Sequence, residues 1–204
     1  SSARNRLAAT GNSTAGYFAG GGSKTTMDKL SYSDDTVSLL PSTGSLSQTR
    51  REMGAVSSLF TGDSLRKPPD PTPTSTTAGT IIQPPNVGYF GGGEWFEGSF
   101  VSIDKLSYSD DTRSTLPSTG ISSRLAATGN STAGYFAGGQ VSSMDKLSYA
   151  DDTVSLLPST GSLSGSRSYH AATGNSTHGY FGSGGGKSTM DKVTYTSDTT
   201  AAVP

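Results

Sequence analysis

Along much of the chain, apolar residues alternate with polar or small ones in short runs of four to six positions. In MDKLSY, alternation sets Asp28, Leu30 and Tyr32 on one face and Met27, Lys29 and Ser31 on the other, as in a half-buried strand. No apolar stripe recurs at helical spacing, so the pattern predicts a β protein. The expected strands come in sets of four. RLAATG (Arg6 to Gly11) has small residues suited to the crowded centre of a ring. GYFAGG runs two aromatics into glycines that tolerate positive φ or close backbone approach. MDKLSY follows, and TVSLLP (Thr36 to Pro41) ends on a Pro that suits an outer edge. GNST supplies the turn after the first piece and SDD (Ser33 to Asp35) the turn after the third.

The set is written four times. The stretch GNSTAGYFAGGGSKTTMDKLSYSDDT from Gly11 returns from Gly129 and Gly174, with a divergent copy from Pro84. Tyr17, Tyr89, Tyr135 and Tyr180 of the GYF landmarks are spaced by 72, 46 and 45 residues, so one copy holds an insertion of about 26. A period of ~45 without helical stripes fits a propeller blade. A four-stranded sheet of this size cannot bury both faces alone, so neighbouring copies must stack on it. The expectation is a single all-β repeat domain of antiparallel blades, approximately 1–46, 47–119, 120–162 and 163–204. SLSQTR (Ser45 to Arg50) matches SLSGSR (Ser162 to Arg167), which makes GAVSSLF (Gly54 to Phe60) the expected first strand of the second blade. A Pro/Thr-rich insertion then lies near 61–85. The alternative takes TIIQ (Thr80 to Gln83) as that strand.

An Arg before small residues (Arg124), an aromatic before a double Gly (Tyr135, then Gly138 and Gly139) and a Tyr on the next strand (Tyr149) follow one another in order. This order resembles the kelch repeat, and the copies at Arg6 and Arg167 follow it. The chain departs from kelch where the fourth strand usually carries a Trp. The resemblance implies a kelch-like β-propeller, of which most have six or seven blades. Four blades therefore imply a longer array, or a ring or fibre completed by other copies. The wording GYFGGG followed by D-x-L-x-Y-S-D-D-T also looks like repeat proteins of marine cyanophages and cyanobacteria, which implies a virion or extracellular setting.

Composition narrows the chemistry. Leu, Ile, Val and Phe supply only 33 of 204 residues, but a net charge of −1 gives the chain no reason to stay expanded. Tight packing of small residues, helped by 27 glycines, is expected instead. The balanced charge offers no basic patch for nucleic acid, and no apolar run approaches the ~20 residues of a membrane helix. With no cysteine, thiolate chemistry and the Cys–Tyr copper site found on a kelch-like propeller are excluded.

The remaining candidates have plain structural readings. The N-S-T triplets at Asn12, Asn130 and Asn175 match a glycosylation pattern but occupy one repeat position inside a turn. The pairs Asp34/Asp35, Asp110/Asp111 and Asp151/Asp152 lack calcium-loop spacing and read as turns. His170 and His178 stand in the last copy only, where other copies carry Leu or Ala. The feature without siblings is GGGEWFEGSF, whose Trp95, Phe96 and Phe100 suit contact with another chain. Internal packing over the insertion and a sugar platform are the alternatives. No catalytic, cofactor or metal residues are expected. The sequence points to a non-catalytic structural or adhesion module that associates with other protein chains. A carbohydrate-active propeller enzyme resembling a sialate mutarotase, or an open β-repeat fibre, is the rival reading.

Overall fold

The computed structural model describes residues 5–22, 24–58, 86–95, 98–99, 101–116 and 123–203. They form four antiparallel four-stranded sheets and one two-stranded hairpin. Blade 1 is β1 (Ala8–Gly11), β2 (Ala15–Ala19), β3 (Met27–Ser31) and β4 (Val37–Leu39). Blade 2 is β5 (Gly54–Ser57), β6 (Val87–Gly91), β9 (Ile103–Ser107) and β10 (Arg113–Leu116), with the hairpin β7 (Glu94–Trp95) and β8 (Gly98–Ser99) between β6 and β9. Blade 3 is β11 (Leu125–Gly129), β12 (Ala133–Gly138), β13 (Met144–Ser148) and β14 (Val154–Leu156). Blade 4 is β15 (Ala171–Gly174), β16 (His178–Gly182), β17 (Met190–Thr194) and β18 (Thr199–Val203).

Strand β5 pairs with β6 from Gly54↔Gly91 to Ser57↔Gly88. It thus takes the first-strand place assigned to Gly54 onward. The insertion near 61–85 and the TIIQ alternative lie outside the described residues.

The blades stack in chain order, with inner strand β1 beside β5, β5 beside β11 and β11 beside β15. Three apolar cores result, and each lies between two blades. Ala15, Tyr17, Ala19 and Met27 of blade 1 meet Phe90, Leu106 and Tyr108 of blade 2. Val87, Tyr89 and Ile103 meet Phe136, Leu147 and Tyr149. Ala133, Tyr135, Ala137 and Met144 meet Phe181, Val193 and Tyr195. Each blade therefore has a forward face, with the Tyr of GYF, and a rear face, with the Phe of GYF and the Leu/Val and Tyr of the third strand. The alternation in MDKLSY is the origin of this division.

The first Gly of GYF has a packing reason. A Cβ on Gly134 would lie 2.8 Å from Val56 and 3.0 Å from the Tyr149 hydroxyl, and one on Gly179 would lie 2.5 Å from Thr128 and 2.6 Å from the Tyr195 hydroxyl. Only a bare backbone lets the third-strand tyrosine lie flat across the second strand while the preceding blade closes over it.

A second device holds the inner edge. Arg6, Glu52, Arg124 and Tyr169 have φ between 54° and 59° and occupy one repeat position. Glu52 N–H donates to Arg6 O at 2.9 Å, Arg124 N–H to Glu52 O at 3.0 Å and Tyr169 N–H to Arg124 O at 3.1 Å. This ladder corrects the alignment of Arg167 with Arg6 and Arg124. Arg167 sits two residues earlier in its repeat and is fully buried, while the place it was given belongs to Tyr169.

Among the described residues the stack does not close on itself. On the rear face of blade 1, Tyr32 is 50% exposed, although Tyr108, Tyr149 and Tyr195 are buried. On the forward face of blade 4, Met190 is 42% exposed, although Met27, Ile103 and Met144 are fully buried. This bears on the four GYF tyrosines, expected in equivalent buried sites. Tyr17, Tyr89 and Tyr135 are buried, but Tyr180 is only partly so, because none of the described residues forms a blade over it.

Burial therefore separates residues that the repeat makes alike. Tyr135→Ala should lower stability by roughly 3–5 kcal/mol, the cost of truncating a core aromatic. Tyr180→Ala in dilute solution should cost well under half of that. Urea unfolding of the two variants checks both values.

Candidate functional site

The chemistry-bearing side chains converge on the joints between blades, and the same constellation appears three times. Strand pairing sets Tyr17 opposite Lys29, Tyr89 opposite Lys105 and Tyr135 opposite Lys146. Both members of each pair reach forward to one aspartate of the next blade. The Tyr17 hydroxyl donates to Asp111 at 2.9 Å and Lys29 Nζ to the same carboxylate at 2.8 Å. Tyr89 and Lys105 meet Asp152 at 2.8 and 2.6 Å. Tyr135 and Lys146 meet Asp198 at 2.6 Å each.

The rings complete the joint. Tyr17 stacks on Tyr108 at 4.7 Å between centroids, Tyr89 on Tyr149 at 5.2 Å and Tyr135 on Tyr195 at 4.8 Å. The ammonium groups of Lys29, Lys105 and Lys146 stand 5.4, 5.8 and 5.7 Å from the centroids of Tyr17, Tyr89 and Tyr135. Thr10 and Thr128 meet the hydroxyls of Tyr108 and Tyr195 at 3.0 Å.

Burial raises the pKa of Tyr17, Tyr89 and Tyr135, and the neighbouring aspartate raises it further. Burial also pushes Tyr108 up to about 12. The hydroxyls stay protonated and donate to the carboxylate. The hydrogen bond to Asp111 raises the pKa of Lys29, which keeps the ammonium charged.

The two aspartates of each D-D pair divide the work. Asp34 Oδ1 accepts from the Thr36 hydroxyl at 2.8 Å, and Asp110 and Asp151 do the same with Thr112 and Thr153 at 2.9 and 2.8 Å. This closes the turn. The second member adopts positive φ, 54° at Asp35, 55° at Asp111 and 58° at Asp152. In Asp111 and Asp152 that conformation delivers the carboxylate to the preceding blade. Asp198 alone serves the last copy, with φ 54°. Sequence reasoning read these pairs as turns and missed the second role, because the partner lies on another repeat. The N-S-T triplets are Asx turns, in which Asn12 Oδ1 accepts from Thr14 N–H, Thr14 Oγ1 and Ala15 N–H, each at 2.8 Å. Asn130 and Asn175 repeat the arrangement.

The connecting segments carry the deepest charges. Arg50 pairs with Asp104 at 3.2 Å and Arg167 with Asp191 at 2.7 Å, all four side chains being essentially buried. Arg167 also donates to the carbonyls of Ser183 and Thr189 at 3.0 and 2.8 Å. Backbone N–H groups of Ser47 and Ser164 donate to the same two aspartates. The motif SLS-x-x-R thus locks each of these connections onto the blade that follows. The sequence showed the motif, but not that its Arg goes inside.

Of the expected contact residues, Phe96 and Phe100 lie outside the described residues, and only the backbone of Trp95 is described. Trp95 pairs with Gly98 in the hairpin β7–β8. The neighbouring Glu94 meets Arg124 at 3.1 Å and Arg51 at 3.4 Å, which ties the hairpin to the inner edge of the stack. His178 meets Thr177 on the surface, and His170 packs 6.0 Å from Phe181. The two histidines are not brought into one site with acidic residues, and no group of three or more His, Cys, Asp or Glu able to hold a metal occurs among the described residues. No family model matches the chain, and no curated protein matches it.

Two groups depart from their siblings in ways that pH can read. Asp145 matches Asp104 and Asp191 in its repeat, yet its Oδ1 has no hydrogen-bond partner among the described residues, and burial raises its pKa to about 6. A carboxyl with a raised folded pKa favours the fold while protonated, and this contribution is lost as pH rises from about 4 through about 6. Asp145→Asn should therefore add roughly 1–3 kcal/mol at pH 7 and almost nothing at pH 4. Urea denaturation at the two pH values checks this. His170 stands where the other blades carry Leu7, Met53 and Leu125, and burial followed by the charge of Arg167 lowers its pKa. Its neutral form is the one folded, so its stabilisation is complete above about pH 6.5 and falls below it. His170→Leu should raise the thermal midpoint more at pH 5 than at pH 7, as differential scanning calorimetry can show.

Proposed function

We propose that this chain is a non-catalytic structural module whose repeats act as stackable building units in a larger protein assembly. The observation that carries this reading is the threefold recurrence of the Tyr–Lys–Asp joint. At the three joints described, the polar side chains that could serve chemistry are already engaged in holding blade to blade. Asp104 and Asp191 are neutralised by buried arginines, and Asp111, Asp152 and Asp198 each receive a Tyr and a Lys. Asp145 has a pKa in the range of a general acid, but it is only 3% exposed. Nearly identical blades also leave little asymmetry from which a converging catalytic cluster could be built. On the resemblance of its repeats, the setting of the assembly is a virion or the cell exterior, with adhesion as a companion role.

The carbohydrate-active reading makes the opposite forecast in one assay. Incubation with sialic acids and galactosides should give no turnover above a heat-killed control. Turnover that a single substitution abolishes would establish an enzyme and end the structural reading.

A further inference from the structure

The two open faces of the stack are the two halves of the joint that recurs inside it. Strand pairing on the forward face of blade 4 sets Tyr180 opposite Lys192, the pair that in blades 1 to 3 reaches into the next blade. The rear face of blade 1 holds Tyr32 and Asp35, the pair that in blades 2 to 4 receives it. Asp35 is exposed and has φ 54°, the same backbone conformation as Asp111, Asp152 and Asp198 at 54° to 58°. Phe18 and Leu30 lie behind Tyr32 and are only partly covered, whereas their counterparts Phe181 and Val193 are fully buried.

The inner edge shows the same complementarity. The backbone ladder runs from Arg6 to Tyr169, with each N–H donating to the carbonyl of the preceding blade. Among the described residues, the Tyr169 carbonyl and the Arg6 N–H are left at opposite ends of it. One end supplies a lysine and a carbonyl, and the other a carboxylate and an N–H.

We infer that the forward face of blade 4 is a binding surface for the rear face of blade 1 of a second copy of this chain. Tyr180 stacks on the second copy's Tyr32, and Tyr180 and Lys192 together engage its Asp35. The contact is head-to-tail, so each added copy presents a fresh Tyr180–Lys192 face, and growth runs to a ring or a filament. The inference rests on the structural reading above and adds to it the surface, the polarity and the residues.

Charge exchange tests it on the 204-residue chain. Sedimentation velocity across a concentration series should show self-association of the wild type. Asp35→Lys and Lys192→Asp should each weaken it by roughly 10-fold, since each replaces an attraction with like charges set against one another. The double variant Asp35→Lys/Lys192→Asp restores the opposite pair and should recover much of the association. Both positions lie on open faces, and an unchanged thermal midpoint in dilute solution shows that the internal joints persist. Rescue by the double variant is a result that general damage to the fold cannot produce. Association that ignores both single variants would overturn this joint while leaving the assembly reading standing. A wild type that stays monomeric at every concentration would overturn both.

Discussion

The structure depends on one constraint: a small four-stranded sheet has two apolar faces and nothing of its own to cover them. The stacked tyrosines resolve it. Tyr17, Tyr89 and Tyr135 each lie flat on the third-strand tyrosine of the following blade, inside a core that two repeats share. Such pairs contribute about 0.5–1.5 kcal/mol beyond the area they bury. A blade therefore has no core apart from its neighbours, and folding a blade and stacking it on the next are one physical event.

Apolar contact alone would let one blade slide or flip on the next. Tyr and Lys of one blade converging on Asp of the next prevent this, because the donors are all on the forward face and the acceptor always on the rear. Lys29 and Asp111 remain 28% and 24% exposed, so their attraction is screened and adds little to stability. Its effect is on register and polarity, which single out one arrangement among several with similar apolar burial. The buried arginines do a different job. Arg50 and Arg167 tie the connecting chain to the blade it leads into, and losing either partner would strand a charge at a cost of several kcal/mol.

Differences among the repeats show where the pattern is relaxed. His170 replaces Leu or Met, and the forward face of blade 4 carries His178 where blade 3 carries Ala133. With His178 and Gly182 where blade 3 carries Ala133 and Ala137, this face is less apolar than the forward faces of blades 1 and 3, yet it keeps Tyr180 and Lys192, the pair that makes the joint.

The repeat, the strand alternation and the turn residues were legible in the chain, since all three are local: period-two alternation sorts MDKLSY into two faces whatever surrounds it. The first-strand place of Gly54 was readable because SLSQTR and SLSGSR fix the register, and the Asx turns because Asn and Asp bond their own backbone. Only the tertiary structure could show that the second Asp of each pair belongs to another blade, that Arg167 goes inside and not to the ladder position of Tyr169, and that Tyr180 differs from its three siblings. Those facts concern what lies across a joint. Identical residues acquire different burial, partners and pKa from the neighbour they meet, and one copy of a repeat does not contain its neighbour.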